Sequence, residues 1–168
     1  LFPYTTLFRS LAKLDLQGSQ SELLKALKGS GKPVVAVVMA GRPLTIEDDL
    51  ENGNAFLYSF HPGTMGGEAL ANLIFGDVNP SGHLPFTIPV SYDKNPVRTE
   101  KQYPGILRSA TIDGMPVLDM EYTEGLYVGY RWYDREGGVL FPFGYGLSYT
   151  TFEYGEPRLD KKSLTEKL

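Results

Sequence analysis

PVVAVVMAGRPLTIEDDLENGNAFLYSFHPGTMGGEALANLIF, residues 33–75, decides the fold. PVVAVVMAG (33–41) is a short apolar run with four valines, bounded by Pro33 and Gly41, which predicts a strand buried on both faces as in a parallel sheet. Thr45 and Asp48 have N-cap spacing, and the carboxylates of Glu47, Asp48 and Asp49 favour a helix N-terminus, so a short helix is predicted up to Gly53. NAFLYSF (54–60) reads as a second strand and HPGTMGG (61–67) as a tight loop. EALANLIF (68–75) reads as a helix with Leu70, Leu73 and Ile74 on one stripe, stopped by Gly76. Upstream, Ser19 and Glu22 have capping-box spacing and Leu23, Leu24 and Leu27 share a face, predicting a helix over 20–28. Helix, strand, helix, strand, helix is the alternation of an open α/β sheet.

Downstream the pattern changes. Asn79, Pro80, Ser81 and Gly82 supply turn chemistry, and Leu84, Phe86 and Ile88 alternate as one face of an extended segment. Residues 90–121, with Pro96, Pro104, Gly105, Gly114 and Pro116, predict a long surface excursion without periodicity. Leu126, Val128, Tyr130 and Trp132 alternate with Tyr127, Gly129, Arg131 and Tyr133, which predicts a strand. Thr150 to Tyr154 is β-prone, and the charged tail 155–168 is expected to fray.

Bulk properties narrow the function. With 168 residues the chain can form one α/β domain but cannot add a (β/α)8 barrel of about 250 residues. Sixteen basic against 20 acidic residues, net −4 and unclustered, provide no footprint for nucleic acid or an anionic membrane. The longest apolar run, Val34 to Ala40, is too short to span a bilayer. The absence of cysteine excludes disulfides and thiolate metal sites without choosing between cytosol, periplasm and outside. LFPYTTLFRS (1–10) reads like a translated sequencing adapter rather than native protein, and is set aside from fold reasoning.

Candidate chemistry is sparse. Glycosidic cleavage needs two carboxyl groups flanking the anomeric carbon. Glu68, Glu121, Glu124 and the acidic run 47–51 are candidates, but their plainer roles are helix-dipole stabilisation and solvated loops. Gly63, Gly66 and Gly67 lie between strand and helix, where backbone N–H groups can cradle an anion. Their spacing is not that of a nucleotide fingerprint, so a close-packed turn is the plainer reading. His61 and His83, the only histidines, are too few for a multi-histidine metal site and are expected to be surface or packing residues. No G-x-S-x-G elbow is present.

GRPL (41–44), PGTMGG (62–67), FGDVNPSGHLPFTIP (75–89), YTEGLYVGYRWYD (122–134) and FPFGYGLSYTTFEY (141–154) follow in order and spacing. Together they resemble the α/β-sandwich domain of glycoside hydrolase family 3, the β-glucosidase and β-xylosidase family, over roughly 11–154. The resemblance implies an open three-layer α/β sandwich with a mostly parallel sheet, incomplete at the N-terminus, over 11–147. It also implies the first strand of a fibronectin type III-like domain from Ser148, over 148–168. For the parent protein it implies an exo-acting retaining β-glycosidase that removes terminal non-reducing β-D-glycosyl residues from β-linked oligosaccharides, without cofactor or metal. The nucleophilic aspartate is expected on an N-terminal (β/α)8 barrel and the acid/base glutamate on a loop upstream of Leu11, so no residue here is assigned a catalytic role and the chain alone is expected to be inactive. Arg9 falls where the family often has an Asp-Arg pair, yet lies in the adapter-like stretch. His83 stands where a longer basic residue is common, and His61 follows a strand where aromatics are frequent. The rival readings are a non-catalytic carbohydrate-binding or scaffold module, and a nucleotide-binding α/β protein using 62–67.

Overall fold

The computed structural model describes residues 14–112 and 115–160. The adapter-like stretch 1–10, with Arg9, lies outside the described residues, as do Leu11, Gly114 and the tail from 161. The elements in chain order are α1 (Gln20–Lys28), β1 (Val35–Val38), α2 (Glu47–Leu50), β2 (Ala55–Tyr58), α3 (Gly66–Phe75), β3 (Ile88–Pro89), a 3-10 turn (Tyr92–Lys94), β4 (Ile106–Ile112), β5 (Met115–Asp119), α4 (Tyr130–Glu136) and β6 (Val139–Phe141).

The α/β alternation over 20–75 is present, and the boundaries shift by the physics of the ends. Ser19 precedes α1 as expected, but its hydroxyl makes no capping bond; its carbonyl instead accepts from the Leu23 N–H at 3.0 Å. The α2 turn begins at Glu47 behind Ile46, without a side-chain cap from Thr45. Thr45 is occupied elsewhere: its N–H donates to the Leu14 carbonyl at 2.9 Å and its hydroxyl to Asp15 Oδ1 at 2.5 Å, forming a parallel bridge. Gly76 ends α3 in the left-handed region, φ 83, a conformation glycine adopts without strain.

β1 and β2 pair in parallel, Val35 with Ala55 through Val38 with Tyr58. Among the described residues this pair and the bridge at Asp15 are the parallel pairings; β3–β6 and β4–β5 are antiparallel. β1 is not buried on both faces, because β2 is its only strand neighbour among the described residues and Val35 stays 44% exposed. Val38, Leu44 and Ile46 form the buried centre, and Leu16, Phe56, Tyr58, Leu140 and Phe141 pack around it. The apolar stripe of α1 is left open to solvent at Leu23 and Leu27.

The second half corrects two expectations. Tyr130 and Trp132 belong to a helix, not a strand: Gly129, φ 58, turns the chain sharply, and α4 then buries Tyr133. Alternation over 126–133 misled because aromatic residues sit on every side of this short helix. Residues 90–121 are not an irregular excursion either, since β4 and β5 form a hairpin, with Ile112 opposite Met115 and Leu107 opposite Leu118. Residues 151–159 carry no regular element.

The words around Pro80 and Gly144 are fastened together residue by residue. Asn79 Oδ1 accepts from the Tyr149 N–H at 2.8 Å, the Leu84 N–H donates to the Tyr145 carbonyl at 2.8 Å, and the Gly144 N–H donates to the Leu84 carbonyl at 2.8 Å. Ile88 then pairs with Phe141, Pro89 with Val139, and the Val90 N–H reaches the Gly138 carbonyl at 3.0 Å. The Tyr149 hydroxyl closes the far end on the Leu73 carbonyl at 2.6 Å. Ile88 and Pro89 are the largest fully buried side chains.

Candidate functional site

Open α/β sheets take ligands beyond the carboxyl ends of their parallel strands. Here that edge is built from Gly41 and Arg42 after β1, and Ser59, Phe60 and His61 after β2. The ladder continues as the Ser59 N–H donates to the Val38 carbonyl at 2.9 Å, holding the two exits side by side. The Tyr58 hydroxyl donates to the Arg42 carbonyl. Burial pushes that phenol up to about 12, with the Arg42 charge opposing the shift. The rings of Tyr58, Phe60 and Phe86 cluster with centroids 5.0 to 5.8 Å apart, tilted or edge-on as ring quadrupoles prefer. Phe60 holds φ 53, unusual for a non-glycine residue.

Glycine at 41 has a steric reason, because a Cβ there would lie 2.6 Å from His61 Nε2. His61 thus lies against Gly41 while staying exposed, and His83, also exposed, is set 3.1 Å from where a Gly146 Cβ would be. Arg42 Nε is sealed from solvent with no hydrogen-bond partner among the described residues. The described residues of this edge, Gly41, Arg42, Tyr58 to His61 and Phe86, bring together rings and one guanidinium.

A concavity of about 430 Å³ lies between α1 and α2, lined by Asp15, Glu22, Glu47, Asp49, Glu51 and Lys25 among others. Two of its carboxylates hold the fold: Asp15 Oδ1 accepts from the Thr45 hydroxyl at 2.5 Å, and buried Asp49 Oδ2 accepts from the Ser21 hydroxyl at 3.1 Å, which fastens α1 to α2. The acidic run 47–51 therefore supplies one buried anchor as well as a helix start. Among the described residues no group of three His, Asp or Glu side chains is placed to hold a metal ion.

The remaining sequence candidates fall apart in space. Glu68 sits in the first turn of α3. Glu121 pairs with Lys101 at 3.7 Å across exposed surface, while the Glu124 carbonyl accepts from the Tyr127 N–H in a turn. The loop 62–67 is exposed except at Gly66, whose N–H donates to the Gly63 carbonyl at 3.2 Å and whose Cβ, if present, would come within 2.6 Å of Pro62. The bond from Gly66 to Gly63 closes a tight turn ahead of α3.

Sequence reasoning missed two clusters. One is Arg42 with Tyr58, Phe60 and Phe86, although Arg42 and Phe60 each closely follow an expected strand, the place where ligand residues gather in this class. The other is Arg135, whose guanidinium carbon lies 4.0 Å from the Tyr127 ring centroid and 5.1 Å from that of Trp132. Reading 126–133 as a strand concealed it, since only a helix brings Trp132 and Arg135, three apart, to one side.

Comparisons with known proteins place this geometry. The profile of the family described as Glycosyl hydrolase family 3 C-terminal domain matches residues 9–130. A beta-xylosidase of Formosa agariphila is 42% identical over 153 residues, covering 91% of this chain and 18% of that protein. Beta-glucosidase BoGH3A of Bacteroides ovatus is 39% identical over 153 residues, covering 89% and 19%. The solved structure of beta-glucosidase 3B from Thermotoga neapolitana in complex with glucose matches with a TM-score of 0.72 at 32% identity, over 85% of this chain and 19% of that one. The chain thus spans about a fifth of the length of these relatives. Profile, sequence relatives and α/β fold agree, and the chain belongs to the glycosyl hydrolase family 3 C-terminal domain family.

Proposed function

We propose that this chain is the C-terminal α/β domain of an exo-acting retaining β-glycosidase that hydrolyses terminal non-reducing β-D-glucosyl or β-D-xylosyl residues. The observation that carries the reading is the match of residues 9–130 to the family, joined to relatives named as a β-xylosidase and a β-glucosidase. In this reading residues 11–147 belong to an open three-layer sandwich in which β1 and β2 are part of a mostly parallel sheet. Residues 148–168 begin a fibronectin type III-like module, consistent with the Asn79 and Leu73 contacts that end at Tyr149.

Retaining hydrolysis needs a nucleophilic carboxylate and an acid/base carboxyl about 5 to 5.5 Å apart. We assign the nucleophile to a (β/α)8 barrel and the acid/base glutamate to a position upstream of Leu11, so the chain's own contribution is to cover the barrel mouth and shape the sugar pocket. The Arg42 and Phe60 edge is suited to that role because it presents rings and a cation. The test is direct: a polypeptide joining this chain to its upstream sequence hydrolyses aryl β-glucosides or β-xylosides, and the 168-residue chain does not. Turnover by the chain itself would contradict the division of roles, and an upstream sequence without a barrel would favour a binding module.

A further inference from the structure

Gly129 turns the chain into α4, and Arg135 lies close to two rings, 4.0 Å from the Tyr127 centroid and 5.1 Å from that of Trp132. Its Nε is committed to Glu136 Oε1 at 2.7 Å, and no described side chain accepts from its terminal nitrogens. Both charged side chains remain about half exposed, at 43% and 48%, and Tyr127 is 45% exposed. This patch therefore offers aromatic rings, the terminal N–H donors of a guanidinium set against them, and a carboxylate acceptor in one place. The cores of protein docking surfaces are depleted in charge, and glutamate in particular is scarce there. Small-molecule sites instead combine aromatic surface with a few fixed polar groups.

We propose that Tyr127, Arg135, Trp132 and Glu136 form a saccharide-binding platform. A pyranose presents a C–H face that can lie on a ring and a rim of neighbouring hydroxyls that a guanidinium fork and a carboxylate can engage together. The choice of a neutral β-linked saccharide rests on the glycosidase reading above, while the site itself rests on this geometry.

The chain contains a single tryptophan, so Trp132 emission reports this patch alone. Titration of the chain with cellotetraose is expected to change that emission saturably, with a Kd of about 1 mM. Arg135→Lys keeps the charge but loses the planar stack, and is expected to weaken binding about tenfold, as is Tyr127→Ala; Tyr127→Phe retains it. Circular dichroism checks that each variant is folded, and Arg135→Lys, half exposed, keeps the test open if Tyr127→Ala is not. Absence of a saturable change, or equal affinity in Arg135→Lys, overturns the platform. So does failure of acrylamide to quench Trp132 in this chain, which would mean that polypeptide covers the patch. Hydrolysis by a longer polypeptide, with Trp132 silent in the 168-residue chain, overturns the platform alone; a responsive Trp132 in this chain, without hydrolysis by the longer polypeptide, overturns the glycosidase reading alone.

Discussion

The segments 73–90 and 138–149 are joined along their whole length, whereas the β4–β5 hairpin is joined mainly to itself. In the first, bonds run from Leu73 to Val90, and Ile88 is only 1% exposed. In the second, Leu107, Ile112 and Met115 are 65 to 66% exposed, and an ion pair between Arg108 and Asp119 ties the strands. The contrast teaches where this chain stores its stability. Segments distant in sequence share buried atoms, while the local hairpin shares backbone bonds and little else; two-stranded hairpins are marginal on their own in water.

Ile88→Ala should break the joined side most severely. Deleting a fully buried isoleucine loses transfer energy and leaves a cavity, about 2–5 kcal/mol in urea unfolding. Ile112→Ala, at 65% exposure on the hairpin, should stay within about 0.5 kcal/mol. Equal losses at the two positions would erase the distinction. Gly146→Ala comes next: its Cβ would meet the Gly82 carbonyl oxygen at 2.5 Å, a backbone atom that cannot swing aside. A cost of about 1–3 kcal/mol is expected, and the same measurement checks it.

This contrast also explains what could be read from sequence. The α/β alternation over 20–75 was legible because each element carries its own local signals, such as Gly76 after a run of apolar residues. The joined segments were visible only as words, since Asn79, Gly82 and Leu84 acquire their roles from partners more than fifty residues away. The hairpin was missed because Arg108, Pro116 and Asp119 interrupt its alternation, and because both faces are solvated, which removes the pattern that burial writes into a strand. The site clusters were hidden for a related reason: Arg42 meets Tyr58 and Arg135 meets Tyr127 through geometry that single-residue patterns do not encode.

Alkaline titration should sharpen the comparison from the ionisation side. Tyr58 and Tyr133 are both raised by burial from 10.0 to about 12, and the hairpin contains no tyrosine. Their neutral forms are favoured by the fold, so the associated stability is fully present below pH 10 and disappears as pH rises towards 12. Discounting for partial solvent access, each ring contributes about 1 kcal/mol of pH-dependent stability. Urea midpoints should fall between these limits, with phenolate absorbance rising together with unfolding. The double variant Tyr58→Phe, Tyr133→Phe should flatten this limb; an unchanged slope would remove these rings as its source.

Arg108→Ala should have the smallest effect and probes the hairpin on its own terms. The guanidinium grips Asp119 with two bonds, Nη2 to Oδ1 at 2.8 Å and Nε to Oδ2 at 3.0 Å, which is the strongest geometry for such a pair. Yet both side chains are more than half exposed, so water competes for each charge and salt screens their attraction. Global stability should therefore fall by less than about 1 kcal/mol, and by less still at high salt. Amide exchange should quicken across Ile106–Asp119 and stay unchanged at Leu84, Val90 and Tyr145, because the hairpin can open without disturbing the joined segments. Faster exchange at Leu84 would mean that the hairpin braces the far side of the molecule, and the two regions would then have to be treated as one cooperative unit.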